Sequence, residues 1–417
     1  MNKTKLVFSS GIAGIFEWYD YTLFGHFAII WAKQFFPSDD INAAMLNTFA
    51  VFAVGYLMRP LGGIVFGIIG DKFGRKAALS TSVMCMAIPT ALIGLLPTYD
   101  TIGVMATILM VLARMLQGLS MGGALTGSMS FIIEHTPAKH RGFVGSIPMS
   151  SICVGILLGS LVSSATQWSL SVEDFESWGW RIPFLLGIFV MYAGLYIKRH
   201  TQETPMFTSI KTHDGIVKSP LKIVFKKYWF DMLISILINA TGSVIFYLQA
   251  IYLINYLHME KDIPVGTVNY MVNISYVIMA IVTLFSGWLS DKFGRVKIYV
   301  FLNILIILSI FGIMDMFAHG SNEGIWIAQI ILSILAAMYI GAEPALQAEF
   351  YPTNIRNTAL SLSYNTAVSL FGGTTPLVLH LLFYKTGIVT SAAYYIIACA
   401  VCSLSALYFY KNRAGST

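Results

Sequence analysis

Long, continuous apolar runs separated by short polar segments dominate the chain. A helix that spans the hydrocarbon core of a bilayer needs roughly 20 mainly apolar residues, and the runs are close to this length or longer. They are continuous rather than alternating, which excludes the strands of a membrane β-barrel. The pattern therefore predicts an all-α membrane protein with twelve transmembrane helices. The predicted spans are 7–32, 44–69, 78–97, 102–134, 143–165, 182–199, 226–256, 267–288, 296–318, 324–349, 358–383 and 388–410.

One long hydrophilic stretch, at 200–225, interrupts this pattern between the sixth and seventh runs. Six runs precede it and six follow, so we expect two six-helix bundles joined by a cytoplasmic linker. The predicted domains are a first bundle at 1–199, the linker at 200–225 and a second bundle at 226–417.

The composition also indicates a protein that lies in lipid. Hydrophobic residues make up 56% of the 417 residues and charged residues only 11%, whereas soluble domains carry roughly 25% charged residues. So little charge does not cover a water-soluble globule of this size, and four Cys do not make a disulfide framework. The first run contains Glu17 and Asp20 and lacks a small-residue cleavage site. We therefore expect it to be the first span and not a signal peptide.

The distribution of Lys and Arg predicts the orientation in the membrane. With a cytoplasmic N-terminus, 20 of the 26 Lys and Arg residues fall on cytoplasmic segments and four on outside loops, while Arg59 and Arg114 lie within spans. The positive-inside rule then places both termini in the cytoplasm. The same asymmetry explains the net charge of +6, so we expect the bilayer, and not nucleic acid, as the partner of the basic residues.

Two loop motifs recur in the two halves. The string from Gly67 to Arg75 returns 220 residues later, with Asp, Gly and Arg at the same positions. The pattern Glu134-x-x-Pro-x-x-x-Arg141 returns 215 residues later, ending at Arg356. Parallel repeats of six spans are typical of transporters that rock about a substrate site at the interface of the repeats.

The first motif, G-x-x-x-D-x-x-G-R, resembles the signature of the major facilitator superfamily. Other strings resemble the metabolite–proton symporter family and, within it, the proline/betaine transporters, over nearly the whole chain. These strings are Phe16-Glu17-Trp18-Tyr19-Asp20-Tyr21, Arg59-Pro60-Leu61-Gly62-Gly63, Trp178-Gly179-Trp180-Arg181 and Glu203-Thr204-Pro205. The resemblance implies the major facilitator fold and a proton symporter of the bacterial inner membrane. Its substrate would be a small zwitterion such as proline or glycine betaine, imported by alternating access.

The chain departs from the family pattern at intramembrane acids. Ala124 stands where the family usually has Glu in the fourth span, and Met149 replaces an Asp common in the fifth span of betaine transporters. Two alternatives therefore stay open. One is a proton-coupled importer of a mono- or dicarboxylate, which Arg59 and Arg114 would suit. The other is a sensor on the same scaffold that binds substrate without transporting it.

Two carboxylates lie in the first predicted span. Glu17 and Asp20 are three residues apart and share one face of a helix. A carboxylate inside a span is costly and suggests a function by default. One could carry the coupled proton, and either could pair with the amine of a zwitterion, or with an intramembrane arginine in a static ion pair. The aromatic faces that would attract a quaternary ammonium group, or simply pack, belong to Trp18, Tyr21 and Phe24.

Four more residues complete the candidate substrate and proton-coupling set. Arg59 and Arg114 could neutralise a substrate carboxylate through bidentate hydrogen bonds, or hold helices together as ion pairs. Glu343, in the tenth predicted span, could compensate for the acid missing at Ala124. Tyr247, in the seventh, has the character of a cavity lining, with interhelical hydrogen bonding as the alternative.

The repeated loop motifs predict a cytoplasmic latch. Gly permits a tight turn, an Asp near a helix N-terminus meets a favourable dipole, and the Arg can reach acids or carbonyls of neighbouring helices. We expect the latch to stabilise the outward-open state and to break and re-form during transport. The predicted latch residues are Asp71, Gly74, Arg75, Glu134, Arg141, Asp291, Gly294, Arg295, Glu349 and Arg356.

The sequence shows no convincing catalytic or metal-binding motif. Gly118-x-Ser120-x-Gly122 formally matches a nucleophile elbow, but that motif needs a strand–turn–helix and these residues lie in the middle of a predicted helix. There is no H-E-x-x-H string and no Walker loop. We therefore expect no metal, no cofactor, no ATP-driven step and no enzymatic activity. The expected partners are a small-molecule substrate, protons and the lipid bilayer, without nucleic acid, and the expected state is a monomer.

Overall fold

The computed structural model describes residues 3–38, 41–213 and 215–414, and the regular elements of this part of the chain are helices. Eleven helical segments within it are long and apolar enough to cross a membrane. In chain order, they are Ala53–Lys72, Arg75–Leu95, Val104–Glu134, Ala138–Ser169, Val172–His200, Trp229–Met259, Gly266–Phe293, Arg295–His319, Asn322–Glu349, Arg356–Thr386 and Val389–Tyr410.

The remaining predicted span is the helix Lys3–Phe35, whose 33 residues are long enough to cross a bilayer. Glu17 and Asp20 lie near its middle and lower its mean hydropathy, so it is less apolar than the eleven segments above. With this helix the fold is the predicted all-α membrane fold of twelve helices. We number the spans 1 to 12 in chain order, with Lys3–Phe35 as span 1.

Several spans are not single regular helices. A π-helical turn interrupts span 6 at Phe175–Gly179, span 7 at Leu248–Tyr252 and span 11 at Val368–Gly372. Continuous apolar runs predict the spans but not these turns, which often occur at functional sites. The component helices are Ile41–Lys72, Arg141–Gly145, Ile147–Ser169, Val172–Asp174, Arg181–Leu185, Ile188–His200, Trp229–Tyr247, Leu253–Met259, Val265–Phe293, Arg356–Ala367, Thr375–Thr386 and Ala392–Ala414.

The polar stretch between spans 6 and 7 forms two short helices, Pro205–Thr212 and Pro220–Lys227. Thr204 caps the first of them, because its Oγ1 accepts the N–H of Phe207 at 3.2 Å. Proline at the first helical position reinforces this start. The described part omits Asp214 of the predicted linker and residues 1–2, 39–40 and 415–417 of the predicted bundles.

The described chain divides into two compact units. Unit 1 contains the described residues up to His135, together with Ser151–Pro220 and Thr353–Leu362. Unit 2 contains Thr136–Ser150, Leu221–Pro352 and the described residues from Ser363 onward. Each unit thus includes a short segment from the opposite half of the sequence. The predicted bundle boundaries at the linker stay a prediction, and the repeat alone does not anticipate this exchange.

Two glycines make the turns of the repeated loop motif. Gly74 joins spans 2 and 3 with a φ of 111°, and Gly294 joins spans 8 and 9 with a φ of 92°. Residues other than glycine rarely adopt these φ values. In both places one helix ends and the next begins within two residues, so the following Arg75 or Arg295 opens a helix.

Small residues bring the backbones of spans 2 and 4 into contact. A Cβ on Gly118 would overlap the backbone of Gly55, and one on Gly122 would overlap the carbonyl of Arg59. The hydroxyl of Ser120 donates to a carbonyl of its own helix at 2.9 Å. Ser120 thus lies inside a regular helix and not in the strand–turn–helix of a nucleophile elbow. The string therefore serves close helix packing.

Candidate functional site

Glu17 of span 1 forms a buried ion pair with Arg59 of span 2. Arg59 Nη2 donates to Glu17 Oε1 at 2.9 Å, and both side chains are almost inaccessible. The guanidinium of Arg59 also lies over the ring of Tyr56, 5.6 Å from its centroid. Each charge therefore has a partner of opposite sign inside the membrane-spanning part of unit 1.

Asp20, one helical turn further along span 1, has a different set of partners. Arg114 Nη1 lies 3.5 Å from Asp20 Oδ2. Asp20 Oδ1 accepts hydrogen bonds from Gln117 Nε2 at 2.8 Å and from Thr90 Oγ1 at 3.1 Å. Gln117 also accepts a hydrogen bond from Arg114 at 2.9 Å. Spans 1, 3 and 4 thus meet in one buried polar network in unit 1.

Arg114 packs against two neighbouring aromatic rings and keeps unused donors. Its guanidinium carbon is 4.7 Å from the ring centroids of both Phe24 and Trp31, a distance that favours cation–π attraction. Its Nε and Nη2 atoms are buried and have no hydrogen-bond partner among the described residues. These two atoms form one edge of the guanidinium, and that edge matches a carboxylate.

The aromatic residues proposed as an ammonium cage are engaged in packing. Phe24 presents its ring to Arg114, and Trp18 packs on Tyr21 with ring centroids 4.9 Å apart. Trp18 and Phe24 are both buried. The structure therefore shows the packing alternative for these rings, and nothing in it assigns them an ammonium group.

Unit 2 contains a buried acid of a different kind. Glu343 of span 10 accepts a hydrogen bond from Asn239 Nδ2 of span 7. Ser243 in turn donates to Asn239 Oδ1 at 2.5 Å. No ion pair in the described part of the chain includes Glu343, so its partner here is a neutral amide. Sequence reasoning missed Asn239, although an Asn in the middle of an apolar helix is a signal.

Tyr247 lies at the end of the regular helix of span 7, just before the π-helical turn. It is buried, and its ring lies against Gly372 in the π-helical turn of span 11. Asn239, Ser243 and Tyr247 are four residues apart and so share one face of span 7. Tyr247 therefore lies on the same face of span 7 as Asn239, the residue that donates to Glu343.

Four predicted latch residues form one buried cluster in unit 1. Arg75 Nε donates to both oxygens of Glu134 at 3.0 and 3.1 Å, and Arg75 Nη1 lies 3.3 Å from Asp71. Arg356, from the segment Thr353–Leu362, donates to Glu134 Oε1 at 3.0 Å. The side chains of Arg75, Asp71 and Glu134 are wholly buried. One carboxylate thus holds two guanidinium groups.

Asp71 also caps the start of span 11. Its two oxygens accept the backbone N–H groups of Asn357 and Thr358 at 3.1 and 2.9 Å. A carboxylate at a helix N-terminus is favoured by unpaired N–H groups and by the helix dipole. The predicted interaction of the motif Asp with a helix N-terminus is thus made with span 11.

Two residues of the latch cluster were not predicted. Glu203 Oε1 accepts the N–H of Arg75 at 3.0 Å and that of Lys76 at 3.3 Å, so it caps span 3. Thr204 Oγ1 donates to Glu134 Oε2 at 2.7 Å. In the sequence, Glu203-Thr204-Pro205 is recognisable only as a family resemblance. The residues that it contacts, Arg75 and Glu134, lie far away along the chain.

The corresponding cluster of unit 2 repeats this pattern with less burial. Asp291 accepts the N–H groups of Gly142 and Phe143 at 2.7 and 2.8 Å. Glu349 pairs with Arg295 at 3.1 Å and with Arg141 at 3.6 Å, and these three side chains are 15–27% exposed.

The two positions that depart from the family pattern are buried. Ala124 is fully buried and Met149 almost fully. Among the described residues no group of three or more His, Cys, Asp or Glu could hold a metal ion.

Two family models match the chain. The family described as Sugar (and other) transporter matches residues 6–219, and the Major Facilitator Superfamily matches residues 232–417. Together they cover most of both halves of the chain.

Curated relatives match nearly the whole chain. A Staphylococcus aureus (strain MSSA476) protein, whose name assigns it to the proline/betaine transporters, is 35% identical over 99% of this chain and 89% of its own length. The proline/betaine transporter of Escherichia coli (strain K12) is 33% identical over 96% of this chain and 82% of its own length.

Solved structures share the fold. The proton:xylose symporter XylE bound to 6-bromo-6-deoxy-D-glucose superposes with a TM-score of 0.78 at 16% identity, covering 98% of this chain and 95% of that one. FucP in the outward conformation gives a TM-score of 0.68 at 15% identity, covering 96% and 98%. This chain is therefore a multi-pass membrane protein of the major facilitator superfamily, a superfamily of secondary transporters and not of enzymes, and it belongs to the family of the proline/betaine transporters.

Proposed function

We propose that this protein is a proton symporter that imports a small zwitterionic osmolyte, such as proline or glycine betaine, by alternating access. The names of two relatives support this substrate class. A zwitterion also suits the buried pair of opposite charges at Asp20 and Arg114. We place the protein in the bacterial inner membrane, with both termini in the cytoplasm, and expect it to work as a monomer.

The Asp20–Arg114 pair carries the proposal. Its separation of 3.5 Å is longer than the 2.9 Å between Glu17 and Arg59, so it is the more easily opened of the two pairs. The Nε and Nη2 donors of Arg114 lack partners among the described residues. A buried donor without a partner costs about 1–3 kcal/mol, and a bound carboxylate would remove that cost.

A zwitterion satisfies such a pair better than a simple anion. Its carboxylate would bind the Nε–Nη2 edge of Arg114 and its ammonium group would face Asp20, so each buried charge would keep a partner. A mono- or dicarboxylate offers nothing to Asp20. The unused edge of Arg114 is nevertheless the observation that favours a mono- or dicarboxylate as the substrate. The uptake experiment therefore includes a carboxylate.

We further propose that the clusters around Glu134 and Glu349 act as the cytoplasmic latch. Arg356 is held by Glu134 in unit 1, and Arg141 by Glu349 in unit 2. Arg356 lies in a segment of unit 1 that comes from the second half of the sequence. Arg141 lies in a segment of unit 2 that comes from the first half. Alternation would require both arginines to leave and regain their acids. Glu17 and Arg59 would maintain a fixed pair that keeps spans 1 and 2 together.

Uptake into proteoliposomes tests the proposal. The substrates would be radiolabelled proline, glycine betaine and succinate, with an inward proton gradient imposed. We expect accumulation of a zwitterion and at least about a tenfold loss of uptake in two variants. Asp20→Asn removes the carboxylate of the buried pair, and Arg114→Lys keeps the charge but loses the two-donor edge that would bind a carboxylate. Lys33→Gln is the matched control, because it removes a charge from an ion pair about half exposed.

Each other outcome contradicts a specific part of the proposal. Accumulation of succinate without either zwitterion would establish the carboxylate alternative. Zwitterion binding without uptake, in a preparation that unfolds cooperatively, would establish the sensor. Uptake that survives collapse of the pH gradient and the membrane potential, without Na⁺, would refute proton coupling.

A further inference from the structure

The buried acids in the middle of the spans differ in what neutralises them. Glu17 and Asp20 each lie beside an arginine, at 2.9 and 3.5 Å. Glu343 is equally buried, yet in the described part of the chain no Lys, Arg or His forms an ion pair with it. Its hydrogen-bond donor is the amide of Asn239.

Among the described residues, the surroundings of Glu343 supply no ion-pair partner. Span 10 packs against spans 7, 8 and 9 and against the helix Arg141–Gly145. The phenol of Tyr299 on span 9 lies close enough to Glu343 to interact with it electrostatically, and it donates to a backbone carbonyl at 3.1 Å. The charged residues of these elements lie towards their ends. Arg141, Asp291, Arg295 and Glu349 form their own cluster there.

An ionised carboxylate without a counter-charge is strongly disfavoured inside a membrane span. Glu17 and Asp20 can stay ionised because each has an arginine. Glu343 can be accommodated only as the neutral acid, unless a cation arrives. Of the three acids, Glu343 is therefore the one without an arginine partner among the described residues, and the one best suited to bind and release a proton.

The hydrogen bonds fix the geometry that a proton carrier needs. Ser243 donates to Asn239 Oδ1, which turns the Nδ2 donor of the amide toward Glu343 Oε1. An acceptor at Oε1 is compatible with both the carboxylate and the acid. The second oxygen of Glu343 is then the one that takes and loses the proton.

We propose that Glu343 binds the coupled proton and that Asn239 positions it, which rests on the symport function proposed above. Binding forms one O–H bond at the carboxylate and removes its negative charge. Release to the other side breaks the same bond and restores the charge. The proton-binding residue is thus Glu343 of span 10, and not Glu17 or Asp20 of span 1, which the sequence favours.

The test separates net proton-driven accumulation from substrate exchange. Wild type, Glu343→Gln and Glu343→Asp would be reconstituted, with the membrane potential clamped at zero by valinomycin and equal K⁺. A gradient of about one pH unit sustains roughly tenfold accumulation for one proton per zwitterion, since a factor of ten corresponds to about 1.4 kcal/mol. We expect Glu343→Gln to equilibrate its substrate without accumulation and to keep counterflow at equal pH. Glu343→Asp should still accumulate.

Three further measurements complete the design. Zwitterion addition should acidify pyranine-loaded vesicles of wild type but not of Glu343→Gln. Asn239→Ala should shift the pH profile of uptake, which a merely structural role would not do. Ser333→Ala is the matched control on the same span, because that hydroxyl only donates to a carbonyl of its own helix, at 2.6 Å, and it should behave as wild type.

The outcomes distinguish this inference from the proposed function. If wild type accumulates the zwitterion and Glu343→Gln does so equally, the inference is wrong and the symport function stands. If Glu343→Gln loses counterflow together with accumulation while remaining folded, Glu343 is structural and the inference is again wrong. Accumulation driven by a Na⁺ gradient and not by protons would refute it as well. If wild type moves no zwitterion at all, the proposed function itself fails.

Discussion

Glu17 and Arg59 illustrate what keeps a charge inside a span. Both side chains are almost inaccessible to solvent, and Arg59 Nη2 lies 2.9 Å from Glu17 Oε1. The attraction within such a pair offsets the loss of hydration only while both partners are present. A single substitution therefore leaves a buried charge without compensation, whereas removal of both charges does not.

A double-mutant cycle at this pair gives the first prediction at the residue scale. Glu17→Gln and Arg59→Gln should each lower the free energy of unfolding by about 3–5 kcal/mol, and the double variant should lose clearly less than their sum. Thermal unfolding in detergent measures this. Lys33→Gln, at an exposed pair, should change stability by only about 0–1 kcal/mol. Single variants as stable as that control would show that the pair contributes little.

The sequence identifies these residues but not their partners. Glu17, Asp20, Arg59, Arg114 and Glu343 stand out because a charge in an apolar run is costly. Which acid faces which arginine depends on how span 1 packs against spans 2 and 4, and the sequence does not show this. The amide partner of Glu343 was missed because Asn239 carries no charge and so gives a weaker signal.

At the scale of elements, the turns between consecutive spans follow the repeated motif. Gly74 and Gly294 occupy the same motif position and have similar φ values, 111° and 92°. Their surroundings differ. A Cβ on Gly74 would overlap the carboxylate of Glu203, whereas one on Gly294 meets no other described atom within 4 Å. The same substitution at the two sites therefore separates backbone strain from crowding.

We predict that Gly74→Ala is more destabilising than Gly294→Ala. Both should cost about 1–3 kcal/mol, because the conformation is essentially restricted to glycine. Gly74→Ala should cost at least about 1 kcal/mol more, since it displaces the acceptor of the Arg75 and Lys76 N–H groups. Unfolding in detergent measures both. Equal losses would mean that Glu203 moves aside without cost.

The spans themselves were largely predictable, with two kinds of exception. Continuous apolar runs locate the helices because a span must bury its own backbone hydrogen bonds in lipid. The π-helical turns at Leu248–Tyr252 and Val368–Gly372 depend on contacts between spans, such as Tyr247 against Gly372. Span 1 is not recognised by its mean hydropathy alone, because Glu17 and Asp20 make it less apolar. Its length and its place in the repeat identify it as a span.

At the scale of the whole molecule, the two repeats share a motif but not an environment. In unit 1, the cluster around Glu134 is fully buried and reinforced by Thr204 from the polar stretch after span 6. In unit 2, the cluster around Glu349 is up to 27% exposed. The two motifs that recur at offsets of 220 and 215 residues predict both clusters. They do not predict the unequal burial, because the residues that add to the first cluster lie outside the repeat.

The unequal burial gives the last prediction, a comparison of Glu134→Gln with Glu349→Gln. Loss of the Glu134 charge leaves Arg75 with Asp71 alone and takes from Arg356 the carboxylate that it binds, which should cost about 3–5 kcal/mol because the groups are buried. Loss of the Glu349 charge should cost only about 1 kcal/mol, because water reaches Arg295 and Arg141 and screens their charges. Thermal unfolding in detergent at low and high salt measures both. Salt should diminish the Glu349 effect and leave the Glu134 effect almost unchanged, since exposed pairs are screened and buried ones are not. Equal losses with equal salt dependence would show that the two clusters are energetically equivalent despite their different burial.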